Sequence, residues 1–315
     1  MNSLYKSEEG FQAIMDWYKK ALTNIDTEFS SHHVDTRFGK THILVAGPES
    51  GEPIILIPGV AGCAPLWRRQ IPDFAKHFRV YALDIVGQPG KSDPNTPSFL
   101  NEDFSEWLID VLDSLKLEKA HIAGTSVGGW IALRFGIYAP ERVLKIIMLS
   151  PTGISRAKLP LKVWVTKYLN KWQSEDALEN DLTAKSVTNK SPGRSFGTFD
   201  RQLAKLMALC TKHYRVDRSL GIYNRKTRKV NLWLGIKVIR KFFFSEPRSL
   251  LSKFKVPGLL VFGEYEVLYN PWTIIKRIKK IIPNLETEVI TGAGHAAIYD
   301  KPEEVNNLII KFLKD

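Results

Sequence analysis

The sequence predicts an α/β protein: a mostly parallel central sheet flanked by helices, interrupted by one helical cap insertion. Three observations predict it. Short, nearly continuous apolar runs alternate with helical patterns, as strands buried on both faces require. The alternation stops after Ser150-Pro151 and resumes near Gly258. One run, Ala123-Gly124-Thr125-Ser126-Val127-Gly128-Gly129, reads as a strand, a tight turn carrying a serine, and a helix.

Taken in order, Ser7 to Asp26 has the apolar spacing of an amphipathic helix, with Phe11, Ile14, Met15, Tyr18 and Leu22 on one side. Thr36-Arg37-Phe38 and His42-Ile43-Leu44-Val45, separated by Gly39-Lys40, read as a hairpin. Strands are predicted at Pro53–Ile57, Val80–Leu83, Ala120–Ala123 and Leu144–Leu149, with a helix through Trp107, Leu108, Val111, Leu112 and Leu115. From residue 151 to 252 the pattern is helical and rich in Trp, Lys and Arg, with a turn-rich break at Asn189-Lys190-Ser191-Pro192-Gly193. Strands return at Gly258–Phe262 and Glu286–Ile290, and a helix closes the chain through Val305, Leu308, Ile309, Phe312 and Leu313. This divides the chain into an N-terminal helical extension (1–30), an α/β core (31–150 and 253–315) and a helical cap over the mouth of the site (151–252).

Composition narrows the function classes. A chain of 315 residues suits one large domain, or one domain carrying an insertion. Only two cysteines, Cys63 and Cys210, are present, so no disulfide framework holds the fold and a reducing compartment is expected. The first residues lack the apolar core of a signal peptide, and no apolar stretch approaches the ~18–20 residues of a membrane span. The expectation is a soluble cytoplasmic protein. The net charge of +12 is uneven: residues 151–250 hold 21 Lys and Arg against seven Asp and Glu. The cluster Arg225-Lys226-Thr227-Arg228-Lys229 is short and carries no nucleic-acid motif, so a solvated basic face is expected there. Weak attraction to a membrane surface or an acidic ligand is the remaining use of that charge. The oligomeric state is not encoded in any pattern here.

The serine turn carries the chemistry. Gly124 and Gly128 flank a nucleophile that must sit in strained backbone angles, where side chains would collide with the neighbouring strand or helix. The following helix directs its first N–H groups at the serine, where negative charge builds up in acyl transfer. A serine hydroxyl needs a base, and the base needs an orienting group. Of seven histidines, His295 stands on the glycine-rich loop Gly292-Ala293-Gly294-His295 between the last strand and the last helix. The orienting acid is expected after the strand ending at Phe262, in Gly263-Glu264-Tyr265-Glu266. Glu266, further out, is favoured to reach the imidazole, and Glu264 to bond local backbone. The oxyanion donors are expected to be the N–H of Val127 and that of Val60, in Pro58-Gly59-Val60-Ala61-Gly62; Pro58 has no N–H.

These segments, with Asp84-Ile85-Val86-Gly87-Gln88-Pro89-Gly90-Lys91-Ser92, resemble the α/β-hydrolase fold from about Thr36 to Leu313. Thr36-Arg37-Phe38-Gly39-Lys40-Thr41-His42 and Gly263-Glu264-Tyr265-Glu266-Val267-Leu268-Tyr269-Asn270-Pro271 resemble bacterial carboxylesterases of that fold. The resemblance implies a Ser-Glu-His triad and hydrolysis of a small-molecule ester. No His/Cys/Asp cluster shows metal-ligand spacing and no glycine-rich phosphate loop is present, so neither a metal nor a cofactor is expected. The chain has Pro58-Gly59 where the family usually has His-Gly, and Glu266 where Asp is more common. Cleavage of a lactone, thioester or C–C bond by the same triad is the alternative, and a non-catalytic ligand binder is the rival from another class.

Other residues read more plainly. Cys63 is expected to be a small buried hydrophobe, Asp84 a cap for backbone N–H groups, and His121 a satisfied core histidine. Trp164, Trp172 and Trp233 could line an acyl pocket, but their spacing fits packing better.

Overall fold

The protein is described from a computed structural model, in which residues 4–157, 174–182, 198, 200–224, 229–243 and 245–315 are placed. The first helix, α1, spans Glu8–Leu22. Ser7 caps it by accepting from the Gly10 N–H, and Glu8 and Glu9 at its start and Lys19 and Lys20 at its end complement the helix dipole. Ile14, Met15, Trp17, Tyr18 and Ala21 form its buried face.

Strands β1 (Phe29–Thr36) and β2 (Gly39–Ala46) form the hairpin. The turn falls at Arg37-Phe38, not at the predicted Gly39-Lys40, and β1 reaches back to Phe29. Gly39, with φ +108°, opens the returning strand instead of sitting at the tip. Thr36 Oγ1 donates to the Gly39 carbonyl at 2.6 Å, and Arg37 is pinned outward by Glu106 and Asp110. Phe38 is thereby a turn residue.

The remaining strands are β3 (Glu52–Ile57), β4 (Phe78–Leu83), β5 (Ala120–Thr125), β6 (Val143–Leu149), β9 (Gly258–Gly263) and β10 (Glu286–Ile290). They make one eight-stranded sheet in the order β1-β2-β4-β3-β5-β6-β9-β10, antiparallel at its first two pairings and parallel beyond. Helices α2 (Ile71–Phe74), α3 (Asp103–Ser114), α4 (Val127–Tyr138), α10 (Pro271–Ile278), α11 (Ala297–Asp300) and α12 (Pro302–Lys314) connect and flank it. Alternate residues of β3 and β6 enter different apolar clusters. Ile54, Leu56 and Ile147 join one, and Ile55, Ile57, Ile146 and Met148 the other, so the sheet is packed on both faces.

Register decides where the chemistry can sit. Ile57 pairs with Gly124, Thr125 with Leu149, Leu149 with Val261 and Gly263 with Ile290. The loops after β3, β5, β6, β9 and β10 therefore leave the sheet at one edge. In open parallel sheets, ligands bind at that carboxyl edge.

Between β6 and β9 run α5 (Glu175–Leu182), α6 (Arg201–His213), α7 (Val216–Ser219), the short pair β7 (Tyr223–Asn224) and β8 (Lys229–Val230), α8 (Leu232–Phe243) and α9 (Arg248–Leu251). Their described contacts reach the loops at the carboxyl edge. Tyr214 donates to the Gly87 carbonyl at 3.0 Å, Gln88 donates to the Ser219 carbonyl at 3.1 Å, and Asp200 pairs with Arg68 and Arg69. Helix α1 braces the same segment, with the Trp17 indole donating to the Gln202 carbonyl at 2.8 Å. The expected break at Asn189–Gly193, and the tryptophans Trp164 and Trp172, lie outside the described residues.

Candidate active site

Ser126 stands between β5 and α4 with φ +52° and ψ −112°, a backbone conformation that costs a non-glycine residue energy. Its neighbours explain how the turn holds. A Cβ on Gly124 would overlap the Gly128 carbonyl, and one on Gly128 would overlap the carbonyls of Ile57 and Pro58. The Ser126 N–H donates to the Leu149 carbonyl at 2.8 Å, and its own carbonyl accepts from Trp130 and Thr152. The N–H of Trp130 is thus the first in α4 to reach a carbonyl one turn back. Those of Val127 and the two following glycines face the start of the helix.

The loop after β3 lies beside the serine. A Cβ on Gly59 would come within 3.4 Å of the Ser126 Cβ. Gly62 donates to the Gly59 carbonyl, closing a turn in which Ala61 has φ +58°. The Ala61 N–H is spent on Gln88 Oε1 at 2.9 Å, and Gln88 itself is buried. Val60 sits at the open side of this turn.

On the other side, β9 ends at Gly263, whose α-position abuts the Ala293 and Gly294 carbonyls so closely that no side chain fits. The chain then turns out to Glu266, and His295 meets it: its Nδ1 lies 2.8 Å from Oε1 and 2.9 Å from Oε2. Burial alone would raise the Glu266 carboxyl. The His295 charge and hydrogen bonds from His295, the Leu268 N–H and the Ser150 hydroxyl outweigh it and hold the carboxyl below its ordinary value. An ionised carboxylate only accepts, so Nδ1 carries the proton and Nε2 of the neutral ring is a base. Burial would lower the imidazole, but Glu266 and then Asp300 raise it above its ordinary value. Glu264 takes the other role expected of this loop, accepting from the Gly292 N–H at 2.9 Å.

Two supporting residues escape sequence reasoning. Ser150, with φ +45°, is buried at the end of β6 and bonds Glu266. Asp300 accepts the Gly294 N–H at 2.9 Å and the Thr198 hydroxyl at 3.3 Å, linking the histidine loop to the inserted segment. A serine at a strand end and an acid in a one-turn helix carry no motif that would announce either.

Among the residues read more plainly, Asp84 does cap backbone: it accepts from Ala64 at 2.6 Å and from Lys91 at 2.8 Å. Cys63 is fully buried and burial drives its thiol well up, as for an inert hydrophobe. His121 departs from expectation. Its Nε2 meets Glu52 at 3.3 Å, but its buried Nδ1 has no partner among the described residues. Burial lowers the pKa of the ring. Trp233 also departs from the expected packing, being 75% exposed.

A serine at a strand-to-helix turn and a carboxylate-bound histidine on the last loop, both at the carboxyl edge of this sheet, define a class. The chain belongs to the alpha/beta hydrolase fold family, whose profile matches residues 52–302. It is 30% identical to the uncharacterized carboxylesterase nap of Bacillus subtilis (strain 168), over 94% of this chain and 90% of that protein. It is also similar to the crystal structure of carboxylesterase CesB (YbfK) from Bacillus subtilis, with a TM-score of 0.78 and 28% identity over 97% of this chain and 98% of the other. A crystal structure of naproxen esterase from Bacillus subtilis gives a TM-score of 0.75 and 26% identity, covering 98% and 99% of the two chains.

Proposed function

We propose that this protein is a cytoplasmic carboxylesterase that cleaves a small-molecule ester through an acyl-enzyme. Ser126 Oγ attacks the ester carbonyl as His295 Nε2 takes its proton. The Val60 and Val127 N–H groups receive the developing oxyanion, each such donor contributing about 3–4 kcal/mol to the transition state. His295 returns the proton to the departing alcohol, and Glu266 keeps the ring in its tautomer and stabilises the imidazolium. Water, deprotonated by the same histidine, attacks the acyl carbon and releases the acid. No step calls for a cofactor or a metal.

The observation that carries this reading is the Glu266–His295 pair at 2.8 Å, on loops that leave the sheet at the same edge as the Ser126 turn. The esterase names of the relatives support the ester as the bond cleaved. Two unpaired buried cysteines suit a reducing compartment. Residues 151–252 act as the cap, a reading supported by the bonds that link Ser219 to Gln88, Tyr214 to Gly87 and Thr198 to Asp300.

The test is hydrolysis of p-nitrophenyl esters from acetate to long acyl chains. Ser126→Ala and His295→Ala are expected to lose roughly 10⁴-fold or more in kcat while remaining folded. Equal activity in wild type and Ser126→Ala would overturn the assignment. Phosphonate labelling of Ser126 without ester turnover would move the substrate to a lactone, thioester or C–C bond, and absence of both would leave a binding protein.

A further inference from the structure

Helix α8 is apolar on two sides. Its inward side carries Leu234, Gly235 and Val238, with Gly235 and Val238 buried. Its outward side carries Trp233, Ile236, Lys237 and Arg240. Their i, i+3, i+4, i+7 spacing confines them to one arc of about 100°. Trp233 is 75% exposed and Ile236 43%, and Val230, just ahead of the helix, is 50% exposed. Single exposed apolar residues need no explanation, but a tryptophan and an isoleucine stacked one turn apart among cations form a surface of definite chemistry.

The surrounding sequence sharpens that chemistry. From Arg218 to Ser245 there are eight Lys and Arg and no Asp or Glu. A second copy of the chain would bring the same positive face against this one. Nucleic acid would take the cations but offers little to Ile236. An anionic lipid surface takes all four side chains: Trp233 at the headgroup level, Ile236 against the acyl boundary, Lys237 and Arg240 on phosphate.

We propose that the outward face of α8 docks the protein on anionic membrane surfaces. The contact is peripheral, since no helix among the described residues is long and apolar enough to cross a bilayer. The helix is tied to the hydrolase core just after its end. The Glu246 N–H donates to the Gly153 carbonyl at 2.6 Å, and the Trp130 indole donates to Glu246 Oε1 at 2.8 Å. Docking therefore holds the enzyme at the lipid without using any group of the Ser126 site, and it does not depend on which bond that site cleaves.

The experiment is co-sedimentation of the full chain carrying Ser126→Ala, so that no lipid is consumed, with phosphatidylcholine vesicles and with vesicles one-third phosphatidylglycerol. Binding is expected only to the anionic vesicles. It should fall when salt rises from about 0.1 to about 1 M, as the screening length shrinks from about 10 to about 3 Å. Trp233→Ser with Ile236→Ser should weaken it at least tenfold. Lys237→Gln with Arg240→Gln should weaken it on the order of 25-fold, at about fivefold per basic residue lost. The same substitutions on the Ser126 background should leave the melting curve and hydrolysis of a short soluble ester unchanged. Trp233→Ser alone serves if a double variant misfolds. No vesicle binding, equal binding to both lipids, or binding indifferent to these variants overturns the proposal. So does duplex DNA binding without vesicle binding, which assigns the face to nucleic acid, or a dimer lost in Trp233→Ser, which assigns it to a second copy.

Discussion

Among the described residues, two histidine–carboxylate pairs have a fully buried carboxylate, and their rings are placed differently. His295 Nδ1 meets Glu266 at 2.8 Å, and His42 Nδ1 meets Asp84 at 3.1 Å. In the second pair both side chains are fully buried. His42 Nε2 is engaged by Ser31 Oγ at 2.6 Å, Tyr18 OH lies 3.2 Å from Nδ1, and Asp84 also holds Ala64, Lys91 and Tyr18. These bonds join α1, β1, β2 and the loops after β3 and β4. Glu266 is equally saturated, by Leu268 and Ser150, but His295 keeps 15% of its side chain open at the carboxyl edge of the sheet. A carboxylate that fixes an imidazole is common to structure and catalysis. What separates the two is where the far side of the ring faces.

The sharpest way to break this contrast is to neutralise each acid. Glu266→Gln is expected to cut kcat by about 10³–10⁴-fold through loss of tautomer control, with a melting temperature near wild type. Asp84→Ala is expected to cost about 3–5 kcal/mol of stability by stranding buried N–H groups and His42, while the folded fraction keeps kcat within a few-fold. Steady-state kinetics beside urea denaturation decides it. A stable but inactive Asp84→Ala enzyme would show that the contrast is misplaced.

Acidity gives the next largest effect. In the proposed mechanism His295 acts as a neutral base, and its pKa is raised, so the acid limb of kcat/KM should have its midpoint above 6.5. In Glu266→Gln the residual activity should have that limb at lower pH, because the charge that raises the ring is gone. Stability runs the other way. Glu266, held low, contributes fully above about 4.5 and loses this on acidification through its lowered pKa. His295, raised, contributes fully below about 6.5 and loses this as pH rises through its raised pKa. The pair therefore stabilises the fold most between those values, where the activity is falling. A limb at or below 6.5 in the wild type would contradict the geometry.

The sequence announced the parts whose function is written in backbone. Gly124 and Gly128 are glycines because carbonyls occupy the space of their side chains, and a small-residue turn after an apolar run is visible in one dimension. Likewise His295 and Glu266 stand on loops fixed by strand order. The hairpin was less legible, since nothing local distinguishes a glycine at the tip from one that opens a strand; Arg37, drawn outward by Glu106 and Asp110, decides it. Ser150 and Asp300 were hidden for the same reason, because their partners Glu266 and Thr198 are 116 and 102 residues away. Trp233 misled because helical spacing shows that a residue shares a face with others, not which face is covered.

The smallest expected effect concerns Asp300, which ties the histidine loop to the inserted segment and also raises His295. Asp300→Asn should lower kcat about threefold to tenfold, as the Gly294 N–H meets a weaker acceptor and the ring is held less firmly. It should also move the acid limb down, by less than Glu266→Gln does. Thr198→Val separates the two contributions. It leaves the Asp300 charge and the Gly294 bond in place and removes the link to the inserted segment, together with the bond the Thr198 hydroxyl accepts from the Asp200 N–H at 3.1 Å, so KM should change while the acid limb stays where it was. If Thr198→Val moves the limb as far as Asp300→Asn does, then the inserted segment itself sets the electrostatics of His295. The contrast between the two histidines would then depend on what covers the ring as much as on the acid that holds it.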